Sequence, residues 1–421
     1  GHVAGGATDE STINAVVATV TAAIAGGVVG VGVSIGGAFA TNLIGSGLES
    51  CGGQAYVKNS TITALGALSL TAAAAETIQA AVLAGSVALA PGGVGVGVSG
   101  TGVVAVNLIT NEVRAFIEGS PVVSTGGDIE ISARDTSTIS AIAGGTAVAA
   151  SIGAVGVSVS IGFSMAFNQI DNEVEAYILN SPDVRTTGTG SFIKLEAVED
   201  ATINAVSTAA AVSLAGGVFA GVGVSGGGAI ATNIILGKAN AYVESSSLDS
   251  AGDVILHAEN TSTINAVIAA ASASASASVF AGVAVSLGGA LARNLIGYDF
   301  LEIDTVPYDF TTGDEPATVQ QGDRVKILHG ERAGDVFEYM GQDPLVDPDP
   351  DHFDSFLAGQ DYSDRSLWKW VNIEESAIEV QTYVGNSSVK AGGDLIQTSE
   401  ANQTINAVVA AGSVAVGGGI A

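Results

Sequence analysis

Apolar and polar positions alternate along most of this chain with a period of two, which places successive side chains on opposite faces of an extended strand. The alternation comes in two kinds. In ASASASAS (Ala271 to Ser278) and GVGVSIGG (Gly30 to Gly37) both alternating sets are small or apolar. That predicts strands covered on both faces, with Gly, Ala and Ser allowing neighbouring layers to approach closely. In AYVKNSTI, GALSLTA, AFIEGSPVV, GGDIEISA, AYVESSSL and AGDVILHA one set is apolar and the other polar, with Gly-Gly or Gly-Asp marking the turns. These predict short strands with one buried and one wet face.

The two kinds recur in a fixed order. Isoleucines in one context (STINA, ETIQA, STISA, ATINA, STINA, QTINA) fall at Ile13, Ile78, Ile139, Ile203, Ile264 and Ile405. Asparagines follow at Asn42, Asn107, Asn168, Asn233 and Asn294, at distances of 29, 29, 29, 30 and 30 residues. Aromatics follow in turn at Tyr56, Phe116, Tyr177, Tyr242 and Tyr383, so the minimal unit is 60 residues long. Extra residues enter only at turns such as GSGLESCGG and SPDVRTTGTG, where insertions are tolerated. A repeat whose units cannot bury their own surface buries it by stacking. The fold class expected is therefore all-β, a parallel β-solenoid of roughly 60-residue repeats. The chain opens ahead of one Ile and stops at Ala421 inside another unit, so a longer array is expected.

The pattern aromatic–Val/Ile–x–x–Ser–x–Val–Gly–Gly–Asp–Val–x–Leu–x–Ala, followed by Ser-Thr-Ile-x-Ala and GVGVS, resembles the repeat regions of large secreted bacterial adhesins. It is similar to the β-helical shafts of filamentous haemagglutinin and to the repeat arrays of leukotoxin-like exoproteins. The resemblance covers everything but one insertion. It implies an extracellular, elongated shaft used in attachment or surface structure. The long Ala/Gly/Ser stretch departs from that family's rungs of about 20 residues, leaving three rungs of 20, two of 30, or one wide rung. Adjacent strands lie about 4.8 Å apart. Only the wide rung would stack the five asparagines, and the five aromatics, as continuous ladders.

Composition narrows the function classes. The chain is 47% hydrophobic and 13% charged, yet its formal net charge is -29. Such a surface suits neither nucleic-acid backbones nor anionic lipid headgroups, and no nucleic-acid partner is expected. Charge-free runs such as Ser11 to Leu48 exceed the roughly 20 residues of a membrane-spanning helix. Gly interrupts each run, however, Leu and Phe are sparse, and the connections carry no Lys/Arg bias, so membrane insertion is not expected. The single cysteine, Cys51, excludes an internal disulfide and is expected to be a buried, inert thiol. Residues Gly1 to Glu10 have no basic region of the kind that opens a signal peptide.

Between Asn294 and Tyr383 the spacing is 89 where 9 is usual. The expected division is thus solenoid over 1–297, an inserted small β-barrel or sandwich over 298–375, and solenoid again over 376–421. The insertion holds 19 of the 42 acidic residues, 11 of the 22 aromatics and both tryptophans, so it is a different body. GDRVKIL, GDVFEYMG and SLWKWVN read as its strands. Trp368 and Trp370, two apart on one strand face, could form a sugar-stacking platform with Tyr339 and Tyr362, or could be the core of a tiny domain. Its Gly-Asp-x-Val and Trp-containing strand resemble small chitin-binding modules. Asp347, Asp349, Asp351 and Asp354 could hold calcium, which takes six to eight oxygens, or form a solvated acidic loop. No cofactor is required by the pattern.

No catalytic constellation stands out. His2, His257, His329 and His352 are far apart, no GxxxxGK[ST] follows the Gly-rich stretches, and the serines have no nearby His to act as base. Acid pairs such as Asp9–Glu10 and Glu199–Asp200 sit in turns and are expected to be solvated. The expected function is mechanical, a rigid adhesin shaft or filament segment partnered by neighbouring repeats or copies of itself. The alternatives are a glycan- or calcium-dependent binding module on the insertion, or a membrane-active exoprotein.

Overall fold

A computed structural model describes residues 1–45, 52–297, 307–329, 334–341, 343–347, 356–362, 364, 367–370 and 378–419, which excludes Cys51. The chain forms two units, Gly1–Ile296 with Ile378–Ala421, and Gly297–Ala377. The first is an all-β stack of parallel strands in which each 60-residue repeat makes one wide rung. Rung 2 is typical. It runs through Ile62–Ala64 and Leu68–Ala74 and then a single 42-residue strand, Thr77–Glu118. In rungs 3 and 4 the long strands are Thr138–Leu179 and Thr202–Glu244. They pair along their lengths in a register that sets Ile78, Ile139 and Ile203 side by side, and likewise Asn107, Asn168 and Asn233.

Each long strand folds over near its middle, around Pro91–Val94 in rung 2 and Gly153–Val155 in rung 3. Its two halves then face each other as layers. Ser160 Oγ donates to the Ala147 carbonyl at 2.8 Å and Ser164 Oγ to that of Ala143 at 3.1 Å, tying the halves of rung 3 together. The layers nearly touch backbone to backbone, since a Cβ at Gly227 would lie 2.6 Å from the Ala271 carbonyl oxygen. Sheets normally pack about 10 Å apart, so where these layers come closest only small side chains fit between them.

The rung therefore has two cores. Between the folded halves lie Ile78, Ala80, Val82, Ala84, Val103, Ala105 and Ile109 with their equivalents. The far end of the long strand (Val113, Ala115, Ile117) instead packs on the six-stranded sheet built from Leu68–Ala74 and its equivalents. One sequence expectation is corrected. The strands of the folded-over half are covered on one face only. Near the fold the inward set is small, while Val20, Ile35, Ile142 and Ile161 of the outward set are exposed. Two layers this close have no third layer over them.

The inserted unit carries a sheet in the order Phe310–Thr311, Arg324–Lys326, Val336–Tyr339, Trp368–Trp370, its last three strands antiparallel neighbours, and a pair Thr318–Val319 with Leu345–Val346. The only helix among the described residues is the turn Phe356–Gly359, and no helix there is long and apolar enough to cross a membrane.

Candidate functional site

Three columns of identical chemistry run up the first unit. In the first, Asn42 Nδ2 donates to Asn107 Oδ1 at 2.7 Å, Asn107 to Asn168 at 2.7 Å, Asn168 to Asn233 at 2.8 Å and Asn233 to Asn294 at 2.7 Å. From Asn42 to Asn233 the column is buried beside the folded-over core, and Asn294 is half-buried. A primary amide has donors and acceptors enough to bond upward and downward at the strand spacing, so each asparagine satisfies the next. This geometry selects the wide rung from the three counts that the spacing allowed.

In the second column Tyr56, Phe116, Tyr177, Tyr242 and Tyr383 stack with ring centroids 4.9, 4.7, 5.0 and 4.9 Å apart and planes within 8°. Beside it, Arg114 Nε donates to Glu175 at 2.6 Å, and its guanidinium also pairs with Glu112 and Glu173. Burial among neighbouring rings, with the Glu175 charge nearby, pushes the Tyr177 hydroxyl up to about 12. That ring is a packing element rather than an acid or base at neutral pH.

The third column is the corner after each aromatic strand. Asn59, Gly119, Asn180, Ser245 and Asn386 take positive φ there, between 45° and 57°. The serine that follows donates its hydroxyl to the carbonyl two residues back and accepts an amide from the rung below. Ser120 Oγ, for example, donates to the Glu118 carbonyl at 2.7 Å and accepts from Ser60 N at 3.0 Å. The aromatic–Val/Ile–x–x–Ser pattern contained this serine, but nothing in the sequence said what it bonds.

Between the two cores runs a buried acidic seam. Asp135 accepts from Asn111 at 3.0 Å, Asn172 at 2.7 Å and the Ser137 hydroxyl at 2.9 Å. Glu76 accepts from Asn111 at 2.9 Å and Ser137 at 2.7 Å. Glu199 accepts from Asn260 at 2.6 Å and fills the space where a side chain at Gly237 would project. The expectation that Glu199 is solvated is corrected, because it is fully buried at the corner where both cores meet. Desolvation raises all three carboxyls, Glu76 to about 7. Amide and hydroxyl donors hold both Asp135 oxygens and one oxygen each of Glu76 and Glu199, while Glu76 Oε1 and Glu199 Oε1 are buried without a partner. Among the described residues no group of three or more His, Cys, Asp and Glu is placed to hold a metal.

In the inserted unit, Trp368, Tyr339 and Tyr362 are buried with Phe337, Val325 and Leu357. Trp368 packs 5.2 Å from Tyr339 and 4.7 Å from Tyr362, ring to ring. The rings are tilted against one another by 59° and 50°, and the three side chains lie in the buried core of the unit. Trp370, on the same strand as Trp368, is the register partner of Phe337 on the neighbouring antiparallel strand. Of the acidic loop only Asp347 lies among the described residues; Asp349, Asp351 and Asp354 lie outside them.

No family model, curated protein or solved structure matches the chain. What the geometry shows is a repetitive parallel β-scaffold. In its three columns the chemistry-bearing side chains bond to their own equivalents one rung away, and that arrangement supplies cohesion along the stack.

Proposed function

We propose that this chain is a load-bearing segment of a bacterial surface or secreted protein, working outside the cell as part of an adhesin stalk or filament. The observation that carries the reading is the unbroken amide column from Asn42 to Asn294, reinforced by the aromatic column beside it. Backbone ladders, amides and rings all run along one axis, so tension along that axis is shared by every rung. The acidic composition keeps an otherwise apolar assembly dispersed. Axial growth would proceed by adding strands at the open edges of the terminal rungs, from further repeats or from a second copy.

The wide rung makes a distinctive column. One repeat of about 5.9 kDa adds only about 4.8 Å of height, so an array of these repeats carries about 1.2 kDa per Å. A solenoid with 20-residue rungs would carry about a third of that. Mass-per-length measurement by scanning transmission electron microscopy, on unstained arrays of the repeat, checks the reading. Fibres near 1.2 kDa per Å support it, whereas globular particles that never elongate would overturn it. Protease shaving of intact producing cells tests the location, with release of repeat fragments expected.

A further inference from the structure

The outward face of the second half of each long strand bears no charge between Val94 and Val104 or in the equivalent residues of rungs 1, 3, 4 and 5. Large and absent side chains alternate on it. One column reads Ile35, Gly100, Ile161, Gly226, Leu287, and the three large residues are 72%, 55% and 69% exposed. In the next column Phe163 stands between Gly102 and Gly228. Nothing within the chain demands Gly100, Gly102 or Gly226. A Cβ at Gly102 or Gly226 would meet no atom within 4 Å, and glycine weakens the interior of a strand. The inward glycines are different, since Gly227 has a carbonyl against it.

We propose that this face docks on the same face of a second copy of the chain, with Ile35 and Ile161 of one copy seating over Gly226 and Gly100 of the other, and Phe163 over Gly102. A two-fold axis running along the strands and passing midway between two rungs sets knobs against holes in both directions. Four rungs in contact over about 36 Å of strand bury about 700 Å² on each copy, or about 1,400 Å² in total. That lies within the range of specific interfaces, and the face exceeds the apolar patches that monomers usually expose. Because the face itself is uncharged, the formal net charge of -29 opposes docking only from a distance, and salt screens it. A lipid bilayer fits less well. It has no use for alternating knobs and holes.

Sedimentation velocity over a concentration series tests the proposal on the whole chain, with the double variant Gly102→Val/Gly226→Val beside it. The native chain is expected to self-associate, more strongly at higher salt. The variant fills the holes and is expected to associate roughly a hundredfold more weakly, with an undiminished melting temperature because β-branched residues suit outward strand positions. Should it fail to fold, Ile161→Ser removes a knob instead and carries the same expected loss. A native chain that stays monomeric throughout overturns the proposal. So does association that both variants leave unchanged, as end-to-end stacking through the open rungs would give. Flotation of the native chain with phosphatidylcholine vesicles, abolished in the double variant, would show lipid to be the occupant and overturn it equally.

Discussion

At the scale of single residues, the amide column turns each asparagine into the partner of two others. Replacing Asn168 by Ala strands the Asn107 amide donor and the Asn233 carbonyl oxygen in a buried site. Each orphaned group costs about 1–3 kcal/mol, so Asn168→Ala should lower unfolding stability by roughly 2–5 kcal/mol in denaturant titrations; a change below 1 kcal/mol would mean that the column contributes little. The seam makes a pH prediction. A carboxyl raised in the folded state stabilises the fold while it is protonated. The Glu76 contribution is therefore full below its ordinary value of 4.5 and lost as pH rises through about 7. The fold should melt higher at pH 5 than at pH 8, and Glu199→Gln, which keeps the Asn260 contact, should recover part of the loss at pH 8. A native chain that melts higher at pH 8 would refute this. Even spacing made the asparagine and aromatic columns legible in the sequence. The burial of Glu199 was not, because an acid beside Asp200 in a turn looks the same whether it faces water or a junction of two cores.

At the scale of the element, the long strand keeps small residues on its inward face near the fold, where its two halves come closest. Period-two alternation was plain in GVGVSIGG, but with both sets apolar it could not say which set faces inward. The approach of the two half-strands decides it, because only a missing or short side chain fits where carbonyls meet across the fold. Adjacent glycines then differ sharply. Gly227→Val drives a Cβ to 2.6 Å from the Ala271 carbonyl oxygen, whereas Gly226→Val enters open space. Overpacking costs typically 1–3 kcal/mol or more. The 227 variant should thus lose at least about 2 kcal/mol and the 226 variant none, measured side by side by chemical denaturation. Equal effects would mean that the layers are not as close as described.

At the scale of the whole chain, the rung count decides how the insertion is carried. Ile296 pairs with Ile235 and Ile378 with Gly237, so in rung 4 a single residue, Leu236, spans the positions that the inserted unit separates in rung 5. The interruption was legible as a spacing of 89 in place of 9, but its two ends could be seen to meet one residue apart only once each repeat was known to be one rung. Deleting residues 297–377 and joining Ile296 to Ile378 through one leucine should therefore close rung 5 without strain. Closing a long flexible loop costs entropy that grows as (3/2)RT ln n, and a one-residue link removes that cost. The shortened chain should keep its β circular dichroism and melt no lower than the full chain. Loss of β signal, or a melting temperature that falls by several degrees, would show that rungs 5 and 6 depend on the inserted unit to fold.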